Sequence, residues 1–286
     1  MNEFKHRLIH LHHCRGVNWN SIWTILKKDP DLHRLYQNEI ETQLLSPAIK
    51  NTLKDDLQSQ RIRNTINEYE KKDIRTITIF EPEYPPMLLE TYKPPWVLYA
   101  KGNPSLLTRD HLLAVVGSRK ATTFGKKSIE LLFPQLIEER IVIVSGLAAG
   151  IDTHAHRMTI GLGGYTIGVI AGGFDHLYPK ENIQLAHEMM KNHLVISEYP
   201  PNIRPQKWHF PMRNRIIAGI SKGTLVVEAK KSSGSLITAN YAVHEGREVF
   251  AVPGHILNSC SVGTNELIKQ GAKLVLTPDD ILEELI

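Results

Sequence analysis

From about residue 111 to its end, the chain alternates short apolar runs rich in Val and Ile with helical patterns. The runs are, in order, HLLAVVG, IVIVSG, YTIGVIAG, HLVISEY, GTLVVEA, REVFAVPG and AKLVL. Continuous apolar strands of this kind are typical of a parallel sheet covered by helices on both faces. Because crossovers between parallel strands are right-handed, the pattern predicts an α/β fold, a Rossmann-like doubly wound domain with a mainly parallel sheet.

Helices are expected between these strands. Their predicted positions are near 124–139, from Asp152, from about Asn182, from about Met212, from about Ser235, near 263–270, and over the terminal DDILEELI. The segment IRTITIF, which precedes the series, alternates like a further strand.

The first part of the chain has a different pattern. Residues 1–65 contain FKHRLIHLHHCRG, NWNSIWTILKKDP and a polar helical stretch from about Asp31 to Gln60, which together predict a small all-helical module. Residues 66–110 are rich in proline, which favours an extended lead-in. We therefore expect two domains, residues 1–65 and 66–286. The module is as well suited to packing or partner docking as to direct DNA contact.

Composition and charge limit the classes of protein to which this chain can belong. The formal net charge is +4, which permits nucleic-acid binding without requiring it. No apolar run reaches the roughly 18 residues of a membrane span, and the N-terminus does not resemble a secretory signal. Cys14 and Cys260 are far apart and form no CxxC pair. These features predict a reduced, cytoplasmic protein without a membrane partner.

Small, hydroxyl and basic residues follow the predicted strands. In open parallel sheets, ligands bind outside the carboxyl ends of the strands, so these residues are expected to meet at one rim. Glycine lets a ligand approach the backbone, hydroxyls donate hydrogen bonds, and Arg or Lys neutralises phosphate. The rim residues that we expect to contact a polyanion include Gly117, Ser118, Arg119, Ser145, Gly146, Lys180, Asn182, Gly234 and Ser235.

Charge and aromatic residues concentrate in the second half of this rim. Seven Lys or Arg residues and one acid, Glu228, lie between Arg204 and Lys231. The segment WHFPMRNR adds Phe210, Arg213, Asn214 and Arg215 to the candidate residues. Aromatic rings beside basic groups are suited to single-stranded nucleic acid, because unpaired bases stack on the rings while the basic groups neutralise the phosphates. Trp208 is as well explained by core packing.

The usual signatures of cofactors and catalysis are missing. The first loop, GSRKATTFG, is neither GxGxxG nor a phosphate-binding GxxxxGK[ST] loop. The chain has no GxSxG, no activated Cys/His pair and no clearly placed pair of carboxylates. In IDTHAHR, Asp152 and His156 are better explained as a helix cap and a packed or hydrogen-bonded histidine than as metal ligands. The sequence predicts a binding protein that is not an enzyme and uses no cofactor and no metal.

The motifs in their order resemble the DNA-processing protein A family (DprA, also called Smf). The similar segments include YPPMLLETYKPPWVLYAKGNP, VVGSRKATTFG, VSGLAAGIDTHAHRMTI, GVIAGGFDHLYPKEN, ISEYPPNIRPQKWHFPMRNRIIAGIS and VVEAKKSSGSLITANYAVHEGREVFAVPG. Residues 1–65 look like the SAM-like or helix-hairpin-helix-like module of many members. The chain stops after DDILEELI, so we expect it to lack the C-terminal winged-helix domain of some members.

The resemblance implies a protein that binds single-stranded DNA, protects incoming strands and helps load the RecA recombinase during natural transformation (competence) and DNA recombination. It also implies that Arg119 and Lys180 contact phosphates and that the segment from Phe210 to Arg215 forms the pocket. Family members dimerise through this domain, often near its C-terminal end, which makes Leu267, Ile268 and Leu274 candidates for a homodimer surface, although core packing explains these three residues about as well. A phosphoribohydrolase-like enzyme on a similar fold is the alternative, although the SSGS loop lacks the PGGxGT pattern of such enzymes.

Overall fold

The chain forms two compact units, residues 1–81 with 93–99, and residues 82–92 with 100–286. They are seen in a computed structural model that describes residues 2–37 and 47–286. The domain division after residue 65 stays a prediction.

The first unit is mostly helical, as the sequence predicts. Its elements are α1 (Glu3–His13), α2 (Trp19–Lys28), α3 (His33–Tyr36), α4 (Pro47–Leu57), α5 (Gln60–Asn67), β1 (Arg75–Thr78) and the first half of β2 (Val97–Gly102). The Asn18 side chain caps α2 by accepting a hydrogen bond from the Ser21 N–H at 3.1 Å. Leu8, Ile9 and Leu11 of α1 are fully buried in this unit. Residues 38–46, in the third predicted helical stretch, lie outside the described residues.

The second unit alternates strands and helices. Its elements after α6 (Pro86–Leu89) are β3 (Leu112–Val116), α7 (Thr123–Glu138), β4 (Val142–Gly146), α8 (Ile151–Gly161), β5 (Thr166–Ile170), α9 (Ile183–Asn192), β6 (Leu194–Ser197), α10 (His209–Gly219), β7 (Gly223–Val226), α11 (Gly234–His244), β8 (Glu248–Ala251), α12 (Val262–Lys269), β9 (Lys273–Leu274) and α13 (Asp279–Leu285). Each of the seven predicted strands is present. The helix predicted from Met212 begins three residues earlier, because Pro211 falls in the first turn, where its missing N–H has no intrahelical partner to lose.

The strand order confirms the doubly wound sheet. The strands of the second unit follow the order β6-β5-β4-β3-β7-β8-β9. All six of these pairings are parallel, and Ala114 of β3 lies opposite both Val144 of β4 and Thr224 of β7. The chain therefore builds outward from β3 to β6, returns, and builds outward again from β7 to β9.

Helices cover the sheet because the central strands β3 to β7 are buried along their whole length. On one face, Leu113, Val115 and Phe250 form a continuous core with Ile129 and Phe133 of α7. Elsewhere in the unit, α10 and α11 pack against each other and against the neighbouring strands. Within the described residues, none of the helices is both long enough and apolar enough to cross a membrane.

Candidate functional site

The candidate site lies where the strand order reverses. β3 is flanked by β4 on one side and by β7 on the other, and the chain reaches β7 only after it has formed β6. The crossover loops that follow β3 and β7 leave the same edge of the sheet in opposite directions, which opens a crevice. In open α/β sheets, such a crevice is the usual ligand site.

A cleft of about 870 Å³ occupies this crevice. Its walls come from the loop after β3, the start of α8, the segment that leads into α10, and the loop before α11. Many of the residues that the sequence predicts for the site line this cleft, namely Gly117, Ser118, Arg119, Phe210, Arg213, Asn214, Gly234 and Ser235. The fold therefore brings together residues that are more than 100 positions apart.

Aromatic rings and a guanidinium group edge the mouth of the cleft. The guanidinium carbon of Arg119 lies 5.9 Å from the centroid of the Phe210 ring. The Tyr178 ring meets the Phe210 ring edge to face, with centroids 5.8 Å apart, and Tyr178 is more than half exposed. The π faces and the positive charge lie at the same opening, where a ligand enters.

The mouth of the cleft is positively charged. Arg119, Lys207 and Lys230 line it and are exposed. Within the part of the chain that the structure describes, none of these three side chains forms an ion pair. Among the described residues that line the cleft, Asp152 is the one acid. The balance of charge favours an anionic ligand.

The N-terminus of α11 adds backbone donors to the cleft. Ser233 caps the helix: its hydroxyl oxygen accepts the Ser235 N–H at 3.4 Å and lies 2.7 Å from the Ser235 hydroxyl. A Cβ added at Gly234 would meet nothing within 4 Å, so this turn is open. The Asn214 amide donates to the Gly234 carbonyl at 3.3 Å and joins α10 to the turn. A helix N-terminus of this kind is a suitable phosphate site.

Arg213 forms the floor of the cleft rather than its mouth. The residue is 7 % exposed, and its guanidinium donates to the Val169 carbonyl at 2.5 Å and, through Nε, to the Asn214 Oδ1 at 3.1 Å. A Cβ at Gly146 would lie 2.3 Å from Nη1 of Arg213, so β4 must end in glycine for the guanidinium to fit. Arg213 thus fixes α10 against the ends of β4 and β5.

Asp152 lies buried beside this guanidinium. Burial raises the pKa of Asp152 to about 6, although the charges of Arg213 and Arg119 oppose the shift. Burial also lowers the pKa of Arg213, against the effect of Asp152. The cleft therefore contains a carboxyl group that ionises less readily than an exposed aspartate.

The remaining predicted residues do not line the cleft. The Ser145 hydroxyl is buried and donates to the Val115 carbonyl at 2.6 Å. The Asn182 amide is also buried and donates to the Leu147 carbonyl and to Thr153. The Arg215 guanidinium pairs with the Glu198 carboxylate away from solvent. Lys180 is exposed, two residues after Tyr178, but outside the cleft lining.

Lys207, Lys230 and Tyr178 also line the cleft, although the list of predicted contact residues does not include them. The sequence does place them after strands, with Lys207 and Lys230 in the basic stretch from Arg204 to Lys231 and Tyr178 in FDHLYPKEN. Trp208, for which the sequence left core packing open, is 57 % exposed and lies against the His209 ring.

The IDTHAHR segment begins α8. Gly150 is the N-cap residue, with a φ of 84°, so the cap predicted at Asp152 is wrong: Asp152 lies in the first turn, where its carboxylate accepts the Ala148 N–H at 3.4 Å. The buried His156 ring bonds to the Thr166 hydroxyl and the Gly146 carbonyl, each at 2.6 Å. Over residues 2–37 and 47–286, no group of three or more His, Cys, Asp or Glu side chains is placed to hold a metal ion.

A doubly wound domain with a basic, aromatic-edged cleft at its switch point defines a class of anion-binding proteins. The comparison with known families is more specific. The family model for DNA recombination-mediator protein A matches residues 75–286, and the chain belongs to this family.

Relatives support the same assignment over most of the chain. A DNA processing protein DprA of Bacillus subtilis (strain 168) is 46% identical over 253 residues, which is 85% of each protein. The X-ray structure of DNA processing protein A from Streptococcus pneumoniae superposes with a TM-score of 0.85 and 39% identity, covering 100% of this chain and 99% of that one. A Helicobacter pylori DNA processing protein A, described by its single-stranded DNA binding mode, gives a TM-score of 0.67 at 29% identity, covering 73% of this chain and 94% of that one.

Proposed function

We propose that this protein binds single-stranded DNA in the cleft and acts as a recombination mediator in natural transformation. The observation that carries the proposal is the convergence of Arg119, Lys207 and Lys230 with the Phe210 ring at the switch point of the sheet. Unpaired bases stack on aromatic faces while basic groups neutralise the phosphates. The single-stranded DNA binding ascribed to the Helicobacter pylori relative supports the same ligand.

A single strand fits these walls better than a mononucleotide does. The three cations and the N-terminus of α11 come from three separate loops around a cleft of about 870 Å³. Several phosphates of one strand can occupy these positions together, whereas one phosphate satisfies few of them. We expect the phosphate nearest α11 to contact Ser233 and Gly234 and an adjacent base to stack on Phe210.

An equilibrium titration tests this function. A fluorescently labelled oligo(dT) is titrated with protein at two salt concentrations, and polarisation is measured for the natural protein and for Arg119→Ala and Lys230→Ala. Each substitution is expected to weaken binding and to reduce the salt slope by about 0.7, the value for one single-strand phosphate contact. The matched control is Lys191→Ala, an exposed lysine in the last turn of α9, outside the cleft lining. Affinities unchanged in both cleft variants would contradict the assignment.

We further propose that the protein acts by binding alone, protecting the strand and passing it to the RecA recombinase. The family description as a recombination mediator supports this role. The hydrolase alternative predicts release of base when purified protein is incubated with nucleoside monophosphates; we expect none. RecA loading is tested by measuring RecA-catalysed strand exchange in the presence of this protein. Two substrates are compared, single strands that are free and single strands that are blocked with oligo(dT). The cytoplasmic location stays a prediction.

The proposed homodimer uses the C-terminal end of the second unit. Of the three candidates, Leu267 is buried in its own unit, Ile268 is partly buried, and Leu274 is 39% exposed. Leu276, which lies two residues after Leu274, is 63% exposed. We therefore assign the surface to Leu274 and Leu276. Light scattering after chromatography is expected to give a dimer mass for the natural protein and a monomer mass for Leu276→Arg. A dimer that persists in this variant would exclude that surface.

A further inference from the structure

A cluster of aromatic rings, formed by Trp19, Trp23, Trp96 and Phe80, lies in the first compact unit. The centroids of Trp19 and Trp96 are 5.1 Å apart, those of Trp19 and Trp23 are 5.7 Å apart, and those of Trp23 and Trp96 are 6.3 Å apart, so the three indoles contact one another in a triangle. The Phe80 ring lies 6.2 Å from Trp96, and all four interplanar angles are 26° to 29°. The indole N–H of Trp19 donates to the Pro94 carbonyl at 2.7 Å, and that of Trp96 donates to the Trp19 carbonyl at 3.2 Å, which holds these two rings in one orientation.

Two rings of this aromatic cluster are exposed, although Trp96 is buried. Trp96 is 5% exposed, whereas Trp23 and Phe80 are 44% and 57% exposed. Contact with the other two indoles fixes Trp23 but leaves nearly half of the residue open to solvent. Large aromatic rings held in parallel at a surface are a ready platform for other flat rings.

Positive charge lies beside the exposed Trp23 ring. Lys27 Nζ lies 4.9 Å from the Trp23 ring centroid, and Lys28 is also exposed. Within the described residues, neither lysine forms an ion pair. The sequence of α2 contains no acid, and the Asp29 carboxylate that follows is buried and accepts the N–H groups of His33 and Leu35 at 3.1 and 2.8 Å. The spacing of four residues places Trp19, Trp23 and Lys27 on one side of the helix.

We propose that this aromatic cluster is a second contact for single-stranded nucleic acid, with an unpaired base stacked on Trp23 and the adjoining phosphates paired with Lys27 and Lys28. Flat π faces beside unpaired ammonium groups are the combination that unpaired, anionic strands require. Lys27 Nζ lies over the Trp23 ring, so an arriving base displaces it towards the phosphate. The inference goes beyond the cleft, since none of these residues lines it.

Cross-linking on the full, natural chain tests the inference without any substitution. Oligo(dT) that carries 5-iodouracil at scattered positions is bound and irradiated, and the cross-linked peptides are identified by mass spectrometry. We expect cross-links in two peptides, one within residues 16–27 and one that contains Phe210. A cross-link confined to the Phe210 peptide overturns the second contact and leaves the proposed function intact. One confined to residues 16–27 supports the aromatic cluster as a contact and contradicts the cleft, and none in either peptide contradicts both.

Two variants measure the size of the effect. Trp23→Ala is expected to weaken binding of a long oligo(dT) about tenfold, the effect of losing one stacked base. Because that change also removes packing, Lys27→Glu provides an exposed substitution that leaves the aromatic cluster in place and is expected to reduce the salt slope. The matched controls are Tyr165→Ala, an aromatic of similar exposure, and Lys71→Glu in the same unit. Equal affinities for Lys27→Glu and Lys71→Glu would overturn the inference.

Discussion

The guanidinium of Arg119 faces the Phe210 ring at 5.9 Å, so the loop after β3 and the first turn of α10 meet across the mouth of the cleft. A base that stacks on Phe210 is thereby within reach of a group that pairs with its phosphate. The two residues are expected to act together on one nucleotide.

The first prediction concerns the π face of Phe210. Phe210→Leu keeps an apolar side chain of similar size but removes the ring. We expect it to weaken single-strand binding by about 1–3 kcal/mol, because base stacking on an aromatic side chain contributes that amount. The measurement is a polarisation titration with oligo(dT). Phe124→Leu, at an exposed ring of α7 outside the cleft lining, is the control; equal affinities for the two variants would contradict a stacking role.

The second prediction concerns Lys180. This exposed lysine follows Tyr178, which lines the cleft, but does not line the cleft itself. If the strand continues past Tyr178, Lys180→Ala weakens binding of a long oligonucleotide and leaves a short one unaffected, whereas Arg119→Ala weakens both. Titrations with oligonucleotides of increasing length check this. A loss from Lys180→Ala that is already complete with the shortest oligonucleotide would instead mean that Lys180 moves into the cleft.

The third prediction concerns the fit of Gly146 under Arg213. Gly146→Ala would place a Cβ 2.3 Å from Nη1 of Arg213, so the guanidinium must move and lose its bond to the Val169 carbonyl. We expect the free energy of unfolding to fall by about 1–3 kcal/mol, the usual cost of overpacking. Urea denaturation measures it. Gly161→Ala, where a Cβ meets nothing within 4 Å at the end of α8, is expected to be neutral or stabilising by up to about 1 kcal/mol.

The sequence predicts the architecture well because each strand is a separate apolar run. All seven runs from HLLAVVG to AKLVL became strands of the predicted sheet, and IRTITIF became β1. The local sequence pattern does not predict β2, because the strand lies among prolines in KPPWVLYAKGNP and prolines favour an extended lead-in. Whether this segment would pair with other strands is a long-range property that local patterns do not contain.

The sequence predicts only part of the candidate site, and the reason differs from the one that hid β2. Position after a strand identifies the rim, and that rule found Arg119, Phe210 and Gly234. It does not separate side chains that point into the ligand space from those that support it. The same rule predicted Ser145 and Arg213, yet Ser145 lies within β4 and bonds across the sheet, and Arg213 forms the floor of the cleft. Burial decides between the two roles, and it depends on the packing of α10.

The last prediction concerns the pH dependence that Asp152 introduces. Burial raises the pKa of Asp152 to about 6 in the folded protein, above its ordinary value of 3.8. Between these values the folded state holds more protons than the unfolded state, so the contribution of Asp152 to stability is present below about pH 4 and is lost as the pH rises to 6. The change amounts to about 3 kcal/mol. Burial lowers the pKa of His156 to about 4, which has the opposite effect: its contribution is lost as the pH falls below about 6.5.

Comparison of the natural protein with Asp152→Asn isolates the carboxyl group, since His156 is common to both. The free energy of unfolding of the natural protein, relative to that of the variant, is expected to rise as the pH is lowered from 7 to 4. Single-strand affinity is expected to rise over the same range in the natural protein alone, because protonation removes the negative charge of the cleft. Urea denaturation and oligo(dT) titration at pH 7, 6, 5 and 4 measure both quantities. Parallel pH profiles for the two proteins would show that Asp152 is ionised throughout and carries no such effect.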